Sequence, residues 1–168
     1  MFGQVMSQRS LRNPIIVAVV VAVMAAAVGG LLTNLGPWYF ALKQPPWKPP
    51  DWLFGPAWTT IFACAAAAGV LAWRNADTTQ KRATVVSLFA INFGCNSLWS
   101  LLFFTLQRPD WALMEVGFLW LSIAALMWFL YPLSKTASLL LLPYLLWVSF
   151  ASKLNWAIVQ MNAPFLGI

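Results

Sequence analysis

The chain has 168 residues, 61% hydrophobic and 8% charged, with ten basic and four acidic residues, no histidine and a formal net charge of +6. A soluble domain carries about 25% charged residues, so this chain lacks the polar surface needed to stay dissolved. Without histidine and with so few carboxylates, the usual general bases, metal sites and paired-carboxylate hydrolases are excluded.

A membrane-crossing helix takes about 20 mostly apolar residues, and the charges cut the chain into pieces of that size. The expected fold is all-α, a single domain over residues 1–168 with five transmembrane helices, because each span must satisfy its own backbone in lipid. The first span follows an N-terminal tail (1–13) and covers residues 15–35. Arg9 and Arg12 before it, with Ala25-Ala26-Ala27 inside it, have the layout of a cleavable leader. Apolar character continues to Leu35, however, which favours a full-length span.

A loop follows, GPWYFALKQPPWKPP, placing a Pro/Trp-rich segment over residues 36–52. Prolines at 37, 45, 46, 49, 50 and 56 interleave with Trp38, Tyr39, Trp47, Trp52 and Trp58. Proline favours extended, stiffened backbone. An interfacial aromatic belt would explain the rings alone. A loop longer than about 12 residues is more often a functional lid or disordered, and this one is too aromatic for disorder.

The remaining spans are expected over residues 53–73, 83–107, 110–130 and 138–160. The third holds no charge, the fourth only Glu115 and the fifth only Lys153, apart from boundary residues. Cys64 and Cys95 form no CxxC pair and read as small buried hydrophobes. The basic residues flank apolar runs, which suits membrane boundaries and not nucleic acid. Arg9, Arg12, Arg74, Lys81, Arg82 and Lys135 lie on one side, Lys43, Lys48 and Arg108 on the other. The bias predicts a cytoplasmic N-terminus.

Depth follows from the helical rise of about 1.5 Å per residue. Trp58, Asn96, Trp99, Trp111, Glu115, Ala151, Lys153 and Asn155 all fall in the half under the loop, with Trp147 near mid-depth. Glu115 and Lys153 share a depth and are expected to pair, directly or through Asn96 or Asn155; snorkelling to the near interface is the alternative. Trp147, Ala151, Leu154 and Ile158 share one helix face. An aromatic pocket with few polar groups suits a large planar hydrophobe and not an ion.

Two strings, WYFALKQPPWKPPDWLFGPAWT (38–59) and PYLLWVSFASKLN (143–155), resemble the translocator protein family, the tryptophan-rich sensory proteins (TspO/MBR). The resemblance extends from the first span to Asn162. It implies a five-helix bundle, often a homodimer, whose members bind porphyrins, cholesterol-like lipids and benzodiazepine-type drugs. The family's ligand pocket maps onto Tyr39, Trp47, Pro49, Trp58, Phe62, Asn96, Trp99, Trp111, Trp147 and Ala151. Trp58 and Trp147 would be the catalytic pair if the family's light- and oxygen-dependent degradation of protoporphyrin applies. The animal sterol motif needs a tyrosine and then a basic residue where this chain has Trp156 and Gln160, which weighs against sterol. Ala90 and Gly94 form a small-xxx-small pair suited to a dimer contact.

The expected function is therefore a multi-pass receptor or sensor, in a bacterial cell membrane, that binds porphyrin or a similar planar hydrophobe in contact with membrane lipid. It needs no cofactor. A porphyrin-degrading enzyme and a slow transporter of hydrophobic ligands are the competing readings. No ordinary acid–base or nucleophilic set supports the first. Five spans do not divide into two equal repeats, which counts against the second.

Overall fold

In the computed structural model the described residues are 2–165, with side chains described over 13–165. Five long helices form the bundle: α1 (Phe2–Leu32), α2 (Phe54–Asn75), α3 (Thr79–Ser100), α4 (Pro109–Leu130) and α5 (Leu142–Asn162). Among the described residues there is no strand. Five segments are long and apolar enough to cross a membrane: Asn13–Leu32, Asp51–Asn75, Thr79–Thr105, Pro109–Leu130 and Lys135–Asn162.

Local chemistry sets the ends of these helices. The first span stops at Leu32, ahead of the expected Leu35, where Thr33 turns its hydroxyl back to the Gly29 carbonyl at 2.7 Å. The third begins at Thr79, ahead of the expected Ala83, because the Thr78 side chain caps it by accepting from the Lys81 N–H at 3.2 Å. Pro109 sits in the first turn of α4 and Pro143 in that of α5, positions that need no N–H donor. The fifth span is broken: a short helix, Lys135–Leu139, precedes α5. Ser138 at the break donates to the Met127 carbonyl at 2.8 Å and so ties the bend to α4.

The helices close into a ring ordered α1, α2, α5, α4, α3. Contacts are dense along α1–α2, α3–α4 and α4–α5, and sparse where α2 meets α3 and α5. Of the described α1 side chains only Ala25 is buried, so α1 leans on the bundle and gives most of its surface to lipid. Asn92 donates to Ser122 at 2.8 Å and Trp120 to Ser149 at 2.9 Å, linking α3 to α4 and α4 to α5. Such inter-helix hydrogen bonds hold membrane bundles together where apolar burial gives no drive. Ala90 and Gly94 both face outward, and a Cβ built at Gly94 meets nothing within 4 Å.

Three buried clusters stack along the bundle. Farthest from the loop, Ala68, Ala72, Val85, Leu126, Leu130, Ala137 and Leu141 pack together. In the middle are Ile61, Val116, Leu119, Ile123, Tyr144 and Val148. Beneath the loop are Tyr39, Phe103, Ala112, Leu154 and Ile158.

Candidate functional site

The loop over residues 36–50 is less extended than its prolines predict. Pro37 starts a short helix, Pro37–Ala41, and Asp51–Leu53 forms a 3-10 turn leading into α2. The helical turn drives Tyr39 into the bundle, where its hydroxyl donates to Asp51 Oδ1 at 2.9 Å. Lys48 pairs with the same carboxylate and lies over the Tyr39 ring, 5.4 Å from its centroid. Gln44 donates to the Tyr39 carbonyl at 3.3 Å. Burial, and then the hydrogen bond to Asp51, hold the Tyr39 hydroxyl above its usual range, so it remains a donor.

The middle of the loop is fastened to α5. Asn162 accepts from the Lys43 N–H at 2.8 Å and donates to the Lys43 carbonyl at 2.9 Å. One side chain thus satisfies both backbone groups of a residue 119 positions away. Neither Asp51 nor Asn162 stands out as a site residue in the sequence. The only local signal for Asp51 is its place directly after the second proline pair.

Below the loop the rings form connected groups. Trp99 stacks on Phe103 (centroids 5.2 Å apart, planes at 26°), and Phe104 sits against Trp99, Phe103 and Tyr39. Trp38 meets Phe103 edge-on at 6.2 Å. Both phenylalanines come from a π-helical turn, Leu101–Thr105, that continues α3. Such turns commonly mark functional positions, and periodicity alone does not reveal them. Deeper, Trp58 stacks on Phe62 at 5.3 Å and meets Tyr144 edge-on at 5.9 Å. Trp147 lies between Phe54 (5.5 Å) and Phe150 (5.8 Å), and Phe150 in turn meets Trp47.

Of the sequence-predicted residues, Tyr39, Trp47, Trp58, Phe62, Trp99 and Trp147 therefore fall into these groups. Asn96 is buried beside Cys95 and one turn from Trp99, while Pro49 and Ala151 are half-buried without an aromatic pairing of their own. Trp111 stands apart. It is exposed, and the Arg108 guanidinium lies over its ring at 4.0 Å while also binding Asp110 in a bidentate pair. The next residue, Ala112, is fully buried, so the helix turns Trp111 away from the interior.

The expected Glu115–Lys153 pair does not form. Lys153 is exposed and lies over the Trp47 ring at 5.4 Å, so it reaches the near interface. Glu115 is buried, with no hydrogen-bond partner for either carboxylate oxygen among the described residues, so neither Asn96 nor Asn155 bridges it. Asn155 is engaged elsewhere: in the orientation that satisfies its amide, it donates to the Pro109 carbonyl at 3.0 Å and accepts from the Leu113 N–H at 3.1 Å. It thus completes the first turn of α4. Among the described residues no three His, Cys, Asp or Glu side chains gather as metal ligands.

A sequence profile of the TspO/MBR family matches residues 16–161. The chain is similar to the tryptophan-rich protein TspO of Archaeoglobus fulgidus, 40% identical over 151 residues that cover 88% of this chain and 97% of the relative. It is similar to the tryptophan-rich sensory protein of Cereibacter sphaeroides, 33% identical over 82% of this chain and 85% of that one. The human translocator protein is 30% identical over 77% of this chain and 78% of its own length.

Proposed function

The chain belongs to the TspO/MBR family of multi-pass membrane proteins, and from that premise we propose that it is a receptor or sensor that binds porphyrins and similar planar hydrophobes in its loop-side half. The observation that carries this reading is the set of rings gathered between the loop and the middle of the bundle. Trp58 and Phe62 come from α2, Trp99 from α3, Trp147 and Phe150 from α5, and Tyr39 from a loop clasped at two points. Flat aromatic faces recognise a flat apolar ligand by stacking and need no acid–base set. Pinning the loop limits the entropy lost when such a ligand is covered. The relative from Cereibacter sphaeroides is named a sensory protein, which supports the sensing side of the proposal.

Purified protein titrated with protoporphyrin should show saturable quenching of tryptophan fluorescence. Trp58→Leu and Trp147→Leu should each weaken binding about tenfold, the loss of one stacking partner worth about 1.4 kcal/mol. The variants are essential because eleven tryptophans contribute to the signal. Quenching that never saturates, or variants that bind like wild type, would reject the proposal.

A further inference from the structure

The interior polar groups fall into two sets. Asn92, Ser138 and Asn155 all have partners on neighbouring helices. Asn96 Oδ1, both Glu115 carboxylate oxygens and the Tyr144 hydroxyl have none among the described residues. These three side chains are only 6%, 7% and 3% exposed. They come from three different helices, α3, α4 and α5, and belong to one neighbourhood. Asn92 and Asn96 share one face of α3, Glu115 and Ser122 share one face of α4, and the Asn92–Ser122 bond sets those faces against each other, while Tyr144 packs in the same cluster as Val116. Tyr144 stands edge-on to Trp58. Glu115 is flanked by Ala112 of the cluster beneath the loop and Val116 of the middle cluster.

All of these unpartnered atoms can accept hydrogen bonds, and the phenol, like a protonated carboxyl, can also donate. A carboxylate buried at membrane depth normally faces a partner, yet Lys153 is turned outward to Trp47. We infer that Asn96, Glu115 and Tyr144 form an acceptor floor that takes an amine or N–H group carried by an otherwise apolar, planar ligand. The inference rests on the planar-ligand reading and adds one element of ligand chemistry to it. Aromatic walls select flatness, and the floor selects a hydrogen-bond donor.

Two matched probes test it, 1-pyrenemethylamine and 1-methylpyrene, each followed by energy transfer from tryptophan to pyrene. Wild type should bind the amine at least tenfold more tightly. Glu115→Gln keeps the size of the side chain, removes its charge and adds a donor, so the preference should fall below threefold while methylpyrene affinity is unchanged. Asn96→Asp adds acceptor charge to the same floor and should widen the preference. Methylpyrene binding also reports that each variant is folded. If wild type binds both probes equally, or Glu115→Gln keeps the preference, the floor is satisfied by water and the inference fails while the aromatic site stands. If Glu115→Gln loses both probes, Asn96→Asp decides, and no widening there overturns the inference. If neither probe binds wild type saturably, the planar-ligand reading falls as well.

Discussion

The two ends of the bundle are built on different rules. Far from the loop, alanines, valine and leucines close to almost zero exposure, and the buried hydroxyl of Ser138 is spent on the Met127 carbonyl. Under the loop, rings meet at 5–6 Å, a π turn finishes the third span, and several polar atoms are buried without partners among the described residues. Small side chains let backbones approach closely, which is how helices associate when lipid offers no hydrophobic drive. Large rings hold helices apart and leave faces for something else to cover. One end therefore carries the stability of the bundle, and the other is kept incompletely satisfied.

The sharpest way to break that contrast is to damage the sealed end. Leu130→Ala, at a fully buried position, should lower stability by about 2–3 kcal/mol. Thermal unfolding in detergent should record the loss, with porphyrin affinity at the surviving sites unchanged. An affinity that fell in step would show that the two ends are one unit. Next in size is the clasp: Asn162→Ala removes two hydrogen bonds to Lys43 and should cost about 1 kcal/mol. Hydrogen exchange should then speed up over residues 36–50 and hardly at all in α4. Smaller again is Trp111→Leu. Because this ring faces outward under Arg108, ligand affinity should change by no more than about twofold. A tenfold loss would move Trp111 into the site.

The smallest effect is expected at the exposed turn between α2 and α3. There the hydrogen bond from Lys81 holds the Asp77 carboxyl below the usual carboxylate range. A lowered pKa contributes stability above the ordinary value of about 4 and loses it as pH falls through the lowered one. Both groups are solvated, so Lys81→Ala should leave the melting temperature unchanged from neutral pH down to about pH 5. A clear drop in that range would mean that the turn matters to the fold.

Runs of span length with at most one internal charge placed all five crossings, because the rule that governs them, backbone satisfaction in lipid, leaves few alternatives. Depth was equally legible, since height follows from counting residues. Direction around the helix axis was not. Trp111 and Ala112 share a depth yet face opposite ways, and Glu115 and Lys153 share a depth yet do not meet. The π turn that brings in Phe103 and Phe104 shifts the facing of residues 101–105, and no periodicity in the sequence announces it. The clasp was hidden for a simpler reason, because its two halves lie 119 residues apart.

That distance has a consequence for assembly. A ribosome delivers the loop while most of the chain is still unmade, and Asn162 emerges only with the last turn of the last helix. Until then Lys43 has no asparagine to hold it, and the lid stays unlatched while the four spans that follow it are made. Closure of the loop is thus a late event in biogenesis, and it reports that the final helix has arrived in register.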